Sequence, residues 1–251
     1  GFSADPKTIL LLTEGAEGDQ VERPLHMWQM KATRHLLQQV PKGTPWESIN
    51  ATLFLLHDVG LGKTITSILS FAAVYKLNED PAKRKTIIIV PKSMLQIWYN
   101  EIRKWTVLSK DKILVADSQL DFVKRLTEQQ GANYSLVDAK LKHLEMAHVI
   151  LTTPSVLEAA YRSYMNVVPG TKGLKFTERL RPNPEVKKPH PLFDLDMLTL
   201  TSENEPRGLA MTISDEVHQV SNPEKWEGAV THFFATRSKF KLGLSGTAVT
   251  N

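Results

Sequence analysis

The strongest constraint on the fold is a short glycine-rich stretch that follows an apolar run early in the chain. The run Leu53–Leu56 has the composition of a buried strand, and Gly60–Thr64 reads Gly-Leu-Gly-Lys-Thr. A helical pattern begins directly afterwards, at Ile65. A strand, a glycine-rich turn and a helix start in this order bind anions, because backbone N–H groups at the helix start converge on phosphate oxygens. The stretch therefore predicts a nucleoside-triphosphate site; the alternative is an ordinary glycine-rich turn.

Each residue of this loop has a predicted role. Gly60 and Gly62 let the backbone curl close to the phosphates. We expect the Lys63 ammonium to lie against the β- and γ-phosphate oxygens, and the Thr64 hydroxyl to ligate a bridging Mg²⁺. The predicted nucleotide contacts of the loop are Asp58, Val59, Gly60, Leu61, Gly62, Lys63, Thr64 and Ile65.

Two adjacent carboxylates follow a later apolar run. Asp215 and Glu216 come directly after Ala210–Ser214, which predicts that they lie at the carboxyl end of a buried strand. In such a place the first carboxylate holds Mg²⁺ through its water shell, and the second orients and deprotonates the attacking water. The predicted catalytic residues are therefore Lys63, Asp215 and Glu216, and the predicted metal-binding residues are Thr64 and Asp215.

A glutamine near the start of the first helical pattern is a candidate base contact. Trp28, Ala32, Leu36 and Val40 recur four residues apart, which predicts an amphipathic helix, and Gln29 lies at its beginning. A glutamine amide can pair with the N6 and N7 edge of adenine. A surface role is the alternative for Gln29, since this residue type is usually exposed.

Strand-like and helix-like patterns alternate along the chain. This order predicts an α/β domain whose mostly parallel, doubly wound sheet binds ligands at the carboxyl ends of its strands. A helix after the second strand repeats Leu95, Trp98, Ile102 and Trp105 at helical spacing, which indicates core packing. The predicted strands are Leu53–Leu56, Thr86–Val90, Ile113–Ala116, His148–Pro154, Ala210–Ser214 and Lys241–Leu244.

The composition favours one large domain. The chain has 251 residues, of which 41% are hydrophobic, and it lacks cysteine, which excludes disulfides and thiolate metal sites. Its apolar runs are too short to span a bilayer, so we expect a soluble, intracellular protein without a membrane partner. Residues 1–20 are predicted to be a lead-in, and residues 21–251 the domain.

The alternation breaks at Arg162–Arg207, which we interpret as an insertion. Its Thr171–Pro191 part holds six basic and two acidic residues, an excess equal to the net charge of +4 of the whole chain. Four prolines fall within Pro182–Pro191, so we expect the basic stretch to be irregular or mobile. Contact with a polyanion and a solvated loop are both open interpretations.

These motifs together resemble a known family. The order Leu-x-x-x-Gln, D-x-G-L-G-K-T, I-I-V-P-K-S-M-L-x-x-W, I-L-T-T-P, D-E-x-H and L-S-G-T-A-x-x-N resembles the Swi/Snf-type ATPases of helicase superfamily two. The resemblance extends over Leu25–Asn251 and implies the N-terminal RecA-like lobe, a three-layer P-loop fold. Departures from the family pattern occur at His57, where an acidic residue is usual, at Val59, and at His26 and Met27.

The resemblance implies a role for each motif. Gln29 would contact adenine, Gly60–Thr64 would bind ATP, and Asp215 with Glu216 would carry out Mg²⁺-dependent hydrolysis. The family places Lys92, Thr152 and Thr153 against the DNA backbone. The residues that it implies for coupling nucleotide state to movement are His218, Ser245, Gly246 and Thr247.

The implied function is that of an ATP-dependent double-stranded-DNA translocase or chromatin remodeller. Its expected partners are duplex DNA, a nucleosome or another DNA-bound protein, and the C-terminal RecA-like lobe of the same polypeptide. The expected location is the nucleus, or the cytoplasm in a prokaryote. The resemblance implies that the second lobe supplies transition-state arginines and that it lies beyond these 251 residues, so we expect the 251-residue chain to hydrolyse ATP barely at all. Alternatives are a DExH-type RNA helicase lobe and a nucleotide-binding scaffold that does not hydrolyse ATP.

Overall fold

The computed structural model describes residues 26–56, 60–78, 81, 85–117, 143–168, 176–185, 209–220, 222 and 224–246. Three predicted site residues, Asp58, Val59 and Thr247, lie outside this part of the chain, as does the predicted lead-in at residues 1–20. In the part of the chain that the structure describes, no helix has both the length and the apolar character needed to cross a membrane.

A six-stranded parallel sheet forms the centre of the domain. Its strand order is β1-β8-β7-β2-β4-β3, and β5 and β6 form a separate antiparallel hairpin. In chain order the strands are β1 (Ala51–Leu56), β2 (Thr86–Ile89), β3 (Ile113–Ala116), β4 (Val149–Thr152), β5 (Met165–Val167), β6 (Leu180–Pro182), β7 (Leu209–Ser214) and β8 (Ser238–Ser245).

Helices lie between the strands. They are α1 (Met27–Gln38), α2 (Lys63–Leu77), α3 (Leu95–Trp105), α4 (Pro154–Tyr164), α5 (Phe176–Arg179) and α6 (Trp226–Thr236). Short 3₁₀ turns occur at Trp46–Ser48, Lys92–Met94, Lys110–Lys112 and Val217–Val220. Residues 143–146, the described part of the segment before β4, are also helical.

The sheet has a packed core on each face. On β2 the side chain of Ile88 belongs to one core cluster, whereas Ile87 and Ile89 belong to the other, as the two-residue period of a strand requires. Residues of α1, α2 and α3 complete the first cluster, and residues of α4 and α6 complete the second. The predicted three-layer α/β fold with a doubly wound sheet is therefore confirmed.

The strand registers bring the predicted motifs to one edge of the sheet. Ile89 at the end of β2 pairs with Ser214 at the end of β7, and Leu56 at the end of β1 pairs with Ser245 at the end of β8. Because all these strands are parallel, their carboxyl ends open on the same side. The glycine-rich loop, the two carboxylates and the turn after β2 therefore share that edge.

At the edge strand β1, one side chain forms hydrogen bonds with the backbone of Thr52. The Gln39 amide accepts a hydrogen bond from Thr52 N–H (2.9 Å) and donates one to Thr52 O (2.7 Å). An amide in this position imitates a neighbouring strand, so it satisfies backbone groups that an edge strand otherwise leaves unpaired.

The prediction that the basic stretch Thr171–Pro191 would be irregular is wrong for its central part. Phe176–Arg179 forms α5, and Leu180–Pro182 forms β6, which pairs with β5. Phe176 is buried edge-on against Trp226 with ring centroids 5.1 Å apart, and the Glu224 carboxylate accepts its N–H. A few well-placed apolar anchors therefore order a segment whose average composition is polar.

The basic residues of this part are held against the protein. The Arg179 guanidinium lies over the Phe176 ring, and Arg181 donates hydrogen bonds to the carbonyl oxygens of Leu180 and Glu178. The other four basic residues of the stretch, Lys172, Lys175, Lys187 and Lys188, lie outside the described residues.

Candidate nucleotide site

Two glycines shape the loop between β1 and α2. Gly60 has a φ of +88° and Gly62 a φ of +75°, the left-handed region that glycine adopts without strain. A Cβ atom added to Gly62 would lie 2.7 Å from Nε2 of Gln29. Gly62 is also the N-cap of α2, and among the residues that the structure describes no side chain caps this helix start. A helix that begins at such a glycine turn has the N-terminus at which proteins commonly bind anions.

Gln29 is buried beside this loop. Its Oε1 accepts a hydrogen bond from His26 N–H at 2.9 Å, which completes a capping box at the start of α1. The same bond holds the amide so that Nε2 lies against Gly62. A hydroxyl pair between Thr33 and Ser70, with oxygens 3.1 Å apart, joins α1 to α2. The structure therefore places Gln29 next to the loop; its contact with adenine stays a prediction.

Asp215 is held at three points at the end of β7. Its backbone N–H donates to Ile89 O at 2.8 Å, which continues the pairing of β7 with β2. Its Oδ1 accepts a hydrogen bond from Glu216 N–H at 3.0 Å, and its Oδ2 accepts one from Nε1 of Trp98 at 3.1 Å. The carboxylate is thereby fixed at the edge of the sheet.

The environment of Asp215 disfavours its charged form. Burial raises the pKa of Asp215, and the hydrogen bonds from Trp98 and from Glu216 N–H act in the opposite direction. The Glu216 charge raises this pKa further, and the Lys63 ammonium lowers it. Lys63 begins α2 and Asp215 follows β7, so both lie at the edge of the sheet where the parallel strands end.

Glu216 has an unusual backbone. Its φ is +51°, and among the residues that the structure describes it is the non-glycine residue with a positive φ. Its Oε2 lies 3.3 Å from Nδ1 of His218, and the same Nδ1 lies 3.0 Å from Oγ of Ser245. Ser245 ends β8 and precedes Gly246. One imidazole therefore connects the predicted general base with the last motif of the chain.

These residues fit a bound ATP with Mg²⁺. The start of α2 is a helix N-terminus of the kind that binds phosphate, and a side chain at Gly62 would fill the space against Gln29. Each Asp215 oxygen accepts one hydrogen bond within the protein, which leaves lone pairs toward the site. Thr64, half-buried in the first turn of α2, offers a hydroxyl oxygen. Mg²⁺ characteristically takes one or two such protein oxygens, with phosphate and water completing its shell.

The predicted DNA-facing residues differ in exposure. Lys92 is exposed at the start of the 3₁₀ turn after β2. Thr152 is fully buried, and its hydroxyl donates to Ala116 O at 2.9 Å. Thr153 is also buried and caps α4, since its Oγ1 accepts the N–H of Val156 at 3.3 Å. Both hydroxyls are thus buried and hydrogen-bonded within the protein, and a contact of these two residues with DNA stays a prediction.

Trp98 is a member of this site that sequence reasoning assigned only to the core. Its helical spacing correctly predicted burial, since the side chain is 0% exposed. Periodicity carries no information about its N–H group. A buried indole N–H usually finds an acceptor, so a core tryptophan in the helix that follows a strand end was the available signal.

Comparison with known families decides the classification. The family model of the SNF2-related domain matches residues 27–251. The chain belongs to the SNF2-related domain family. The Swi/Snf resemblance that the motifs predicted is therefore confirmed, and with it a RecA-like helicase lobe as the fold.

Individual proteins that resemble this SNF2-related domain have low sequence identity to it or match only part of it. Protein CHROMATIN REMODELING 19 of Arabidopsis thaliana is 32% identical over 90 residues, which cover 36% of this chain and 11% of the relative. A helicase domain of Pyrococcus furiosus Hef is similar in structure, with a TM-score of 0.50, 15% identity and coverage of 90% of this chain and 34% of that one. A Sulfolobus solfataricus SWI2/SNF2 ATPase core in complex with double-stranded DNA gives a TM-score of 0.49 at 19% identity, covering 90% of this chain and 33% of that one.

Proposed function

We propose that this SNF2-related domain binds ATP with Mg²⁺ and hydrolyses it as one lobe of a DNA translocase. The observation that carries the proposal is the convergence of two strand ends. Strand β1, which leads into the loop of Lys63, and strand β7, which leads into Asp215, both pair in parallel with β8, although the two motifs are far apart in sequence. A cation from the glycine-rich loop and a carboxylate from a strand end are the two parts that a triphosphate site with Mg²⁺ requires.

In this proposal the chain's own groups divide the work. The N–H groups that begin α2 and the Lys63 ammonium bind the phosphate oxygens, while Thr64 and Asp215 hold the metal. The Glu216 carboxylate accepts a proton from the attacking water. Bound Mg²⁺ would supply positive charge beside the phosphate oxygens, which favours ADP as the leaving group. Gln29, fixed beside Gly62, presents its amide to the base.

Coupling to DNA is the second part of the proposal. The link from Glu216 through His218 to Ser245 gives the nucleotide state a physical route to the end of β8, beside Gly246. Lys92, exposed at the same edge of the sheet, offers its ammonium to a phosphate of the DNA backbone. We further propose that the domain works together with a second RecA-like lobe and acts on a nucleosome or another DNA-bound protein. The proposed location is the nucleus, in keeping with the likeness to CHROMATIN REMODELING 19.

The test of nucleotide binding uses two lysines of one helix. Lys63→Ala should abolish Mg·ATP binding in calorimetry, because it removes the loop cation. Lys76→Ala makes the same change in the exposed last turn of α2 and should leave affinity unaltered. Equal affinity in both variants would overturn the site.

The test of chemistry uses the second carboxylate. Glu216→Gln should bind Mg·ATP as the unaltered chain does, and with duplex DNA and the second lobe supplied it should stop the hydrolysis that the unaltered chain then shows, since an amide cannot accept the proton of the attacking water. Hydrolysis that survives this change would contradict the role of Glu216. Binding without any turnover, even with duplex DNA and the second lobe supplied, would favour a non-hydrolysing scaffold.

A further inference from the structure

Trp98 directs a polar group out of the core toward the candidate site. Its side chain is fully buried in the cluster under α3, and its Nε1–H lies 3.1 Å from Oδ2 of Asp215. An indole carries one donor and no acceptor, so a buried tryptophan makes a single directed hydrogen bond. Here the acceptor is a carboxylate, which makes the bond charge-assisted whenever Asp215 is ionised.

This bond restrains a motion that the backbone leaves free. The N–H of Asp215 bonded to Ile89 O fixes the main chain, and Glu216 N–H holds one carboxylate oxygen. A carboxylate held through one oxygen can still turn about its side-chain bonds. The Trp98 bond to the second oxygen removes that freedom, and the rigid packing of the indole fixes its direction.

We propose that Trp98 is the positioning residue of the metal-facing carboxylate. It acts through Asp215 and prepares the two remaining lone pairs of that group for the water shell of Mg²⁺. The proposal rests on the proposed function, since it concerns the same site. Partners that orient a metal-binding group in this way characteristically account for about 10–100-fold in metal affinity or activity.

The chain supplies a matched control on the same helix. Trp105, one turn of α3 from Ile102, donates its Nε1–H to Oε2 of Glu101 at 2.7 Å. This is also a tryptophan–carboxylate bond, but Glu101 lies four residues earlier on the helix surface rather than in the site. Trp105→Phe therefore removes the same chemistry without touching Asp215.

The experiment is a Mg²⁺ titration of nucleotide binding, using a fluorescent ATP analogue and the 251-residue chain. Trp98→Phe keeps most of the buried ring and removes the donor. We expect it to raise the half-saturating Mg²⁺ concentration about tenfold, whereas Trp105→Phe leaves it unchanged. Analogue affinity in EDTA should be the same in all three proteins. Loss of EDTA affinity in Trp98→Phe together with the Mg²⁺ effect would indicate a merely structural role and overturn the proposal.

The two failures are distinguishable. If the unaltered chain binds no nucleotide, the proposed function fails; if it binds and the two phenylalanine variants share one Mg²⁺ curve, only the positioning role fails. Should Trp98→Phe not fold, the indole ¹⁵N–H signals of the metal-free chain decide. Asp215→Asn should move the Trp98 signal and not that of Trp105, and a stationary Trp98 signal would refute the proposal.

Discussion

Nδ1 of His218 lies 3.0 Å from Oγ of Ser245, and this contact joins the turn after β7 to the end of β8. The two strands are neighbours, but their ends carry different motifs: the carboxylate pair on one and Ser245-Gly246 on the other. Because the same Nδ1 also lies beside Glu216, a change at the carboxylate alters the partners available to the ring. Movement of the His218 ring would break or re-form its hydrogen bond with Ser245.

This link predicts a change in hydrogen exchange. Nucleotide binding should slow amide exchange at the end of β8 in the unaltered chain, and His218→Ala should abolish that protection, since the connecting ring is gone. Mass spectrometry of peptides over residues 240–246 measures the effect. His232→Ala removes an exposed histidine of α6 and serves as the control, with protection retained. Protection that persists in His218→Ala would show that the route runs elsewhere.

Lys92 predicts a defined salt dependence of DNA binding. Lys92→Gln should reduce the slope of log affinity against log salt by about 0.9, the value of one phosphate contact on duplex DNA. Lys110→Gln removes an exposed lysine just before β3, at the opposite edge of the sheet, and should leave the slope unchanged. Titrations at several salt concentrations measure both. Identical slopes would remove Lys92 from the interface, and stimulation by RNA in place of duplex DNA would favour a DExH-type RNA helicase lobe.

Sequence patterns predicted the helices and strands that have a clear hydrophobic pattern. Strand β3 was predicted with its observed bounds, Ile113–Ala116, because a buried parallel strand is a continuous apolar run. Helix α6 was not predicted: Trp226–Thr236 begins with Lys225 as its N-cap, without a side-chain cap, and is apolar on much of its surface. The hairpin of β5 and β6 was also missed, since strands of three residues show no period.

The candidate site was predicted unevenly for a related reason. Motif spacing identified Lys63 and Asp215, because each follows a strand end, and the parallel sheet brings these ends together. Spacing could not show that Thr152 turns its hydroxyl to Ala116 O, nor that Trp98 aims its N–H at Asp215. Those hydrogen bonds cross between elements distant in sequence, so they depend on tertiary packing that no local pattern encodes.

Gln39 predicts a local effect on the sheet edge. Gln39→Ala should accelerate amide exchange at Thr52 and lower the free energy of unfolding by about 0.5–1.5 kcal/mol for each net hydrogen bond lost, toward the lower end because the site is exposed. Gln38→Ala, at the neighbouring exposed position, should change neither. Exchange measured by NMR and unfolding by urea test the two effects. Unaltered exchange at Thr52 would mean that water replaces the amide without cost.

Tyr75 predicts how stability responds to alkaline pH. Its hydroxyl lies 2.7 Å from Nδ1 of His148, and burial raises the pKa of Tyr75 above its ordinary value of 10.0. An unfolded tyrosine ionises first, so the folded chain loses stability as pH rises from 10.0 through the raised pKa. At neutral pH the free energy of unfolding of the unaltered chain should be about 1 kcal/mol larger than that of Tyr75→Phe, which lacks the hydrogen bond.

The difference between these two proteins should shrink above pH 10.0, because Tyr75→Phe lacks the ionising group. Urea unfolding at neutral and alkaline pH measures it. A gap that stays constant across this range would show that the Tyr75 phenol titrates alike in both states.

The left-handed backbone at Glu216 affects which substitutions evolution favours at this position. A glutamate at a φ of +51° costs roughly 1–2 kcal/mol that glycine would not. The residue proposed to activate water therefore occupies a position where selection for stability alone favours its loss. In copies of this domain that are not selected for ATP hydrolysis, we expect substitution of this residue by glycine or asparagine, because either change increases stability. If Glu216 activates water as proposed, retention of glutamate at this position indicates selection for hydrolysis rather than for stability.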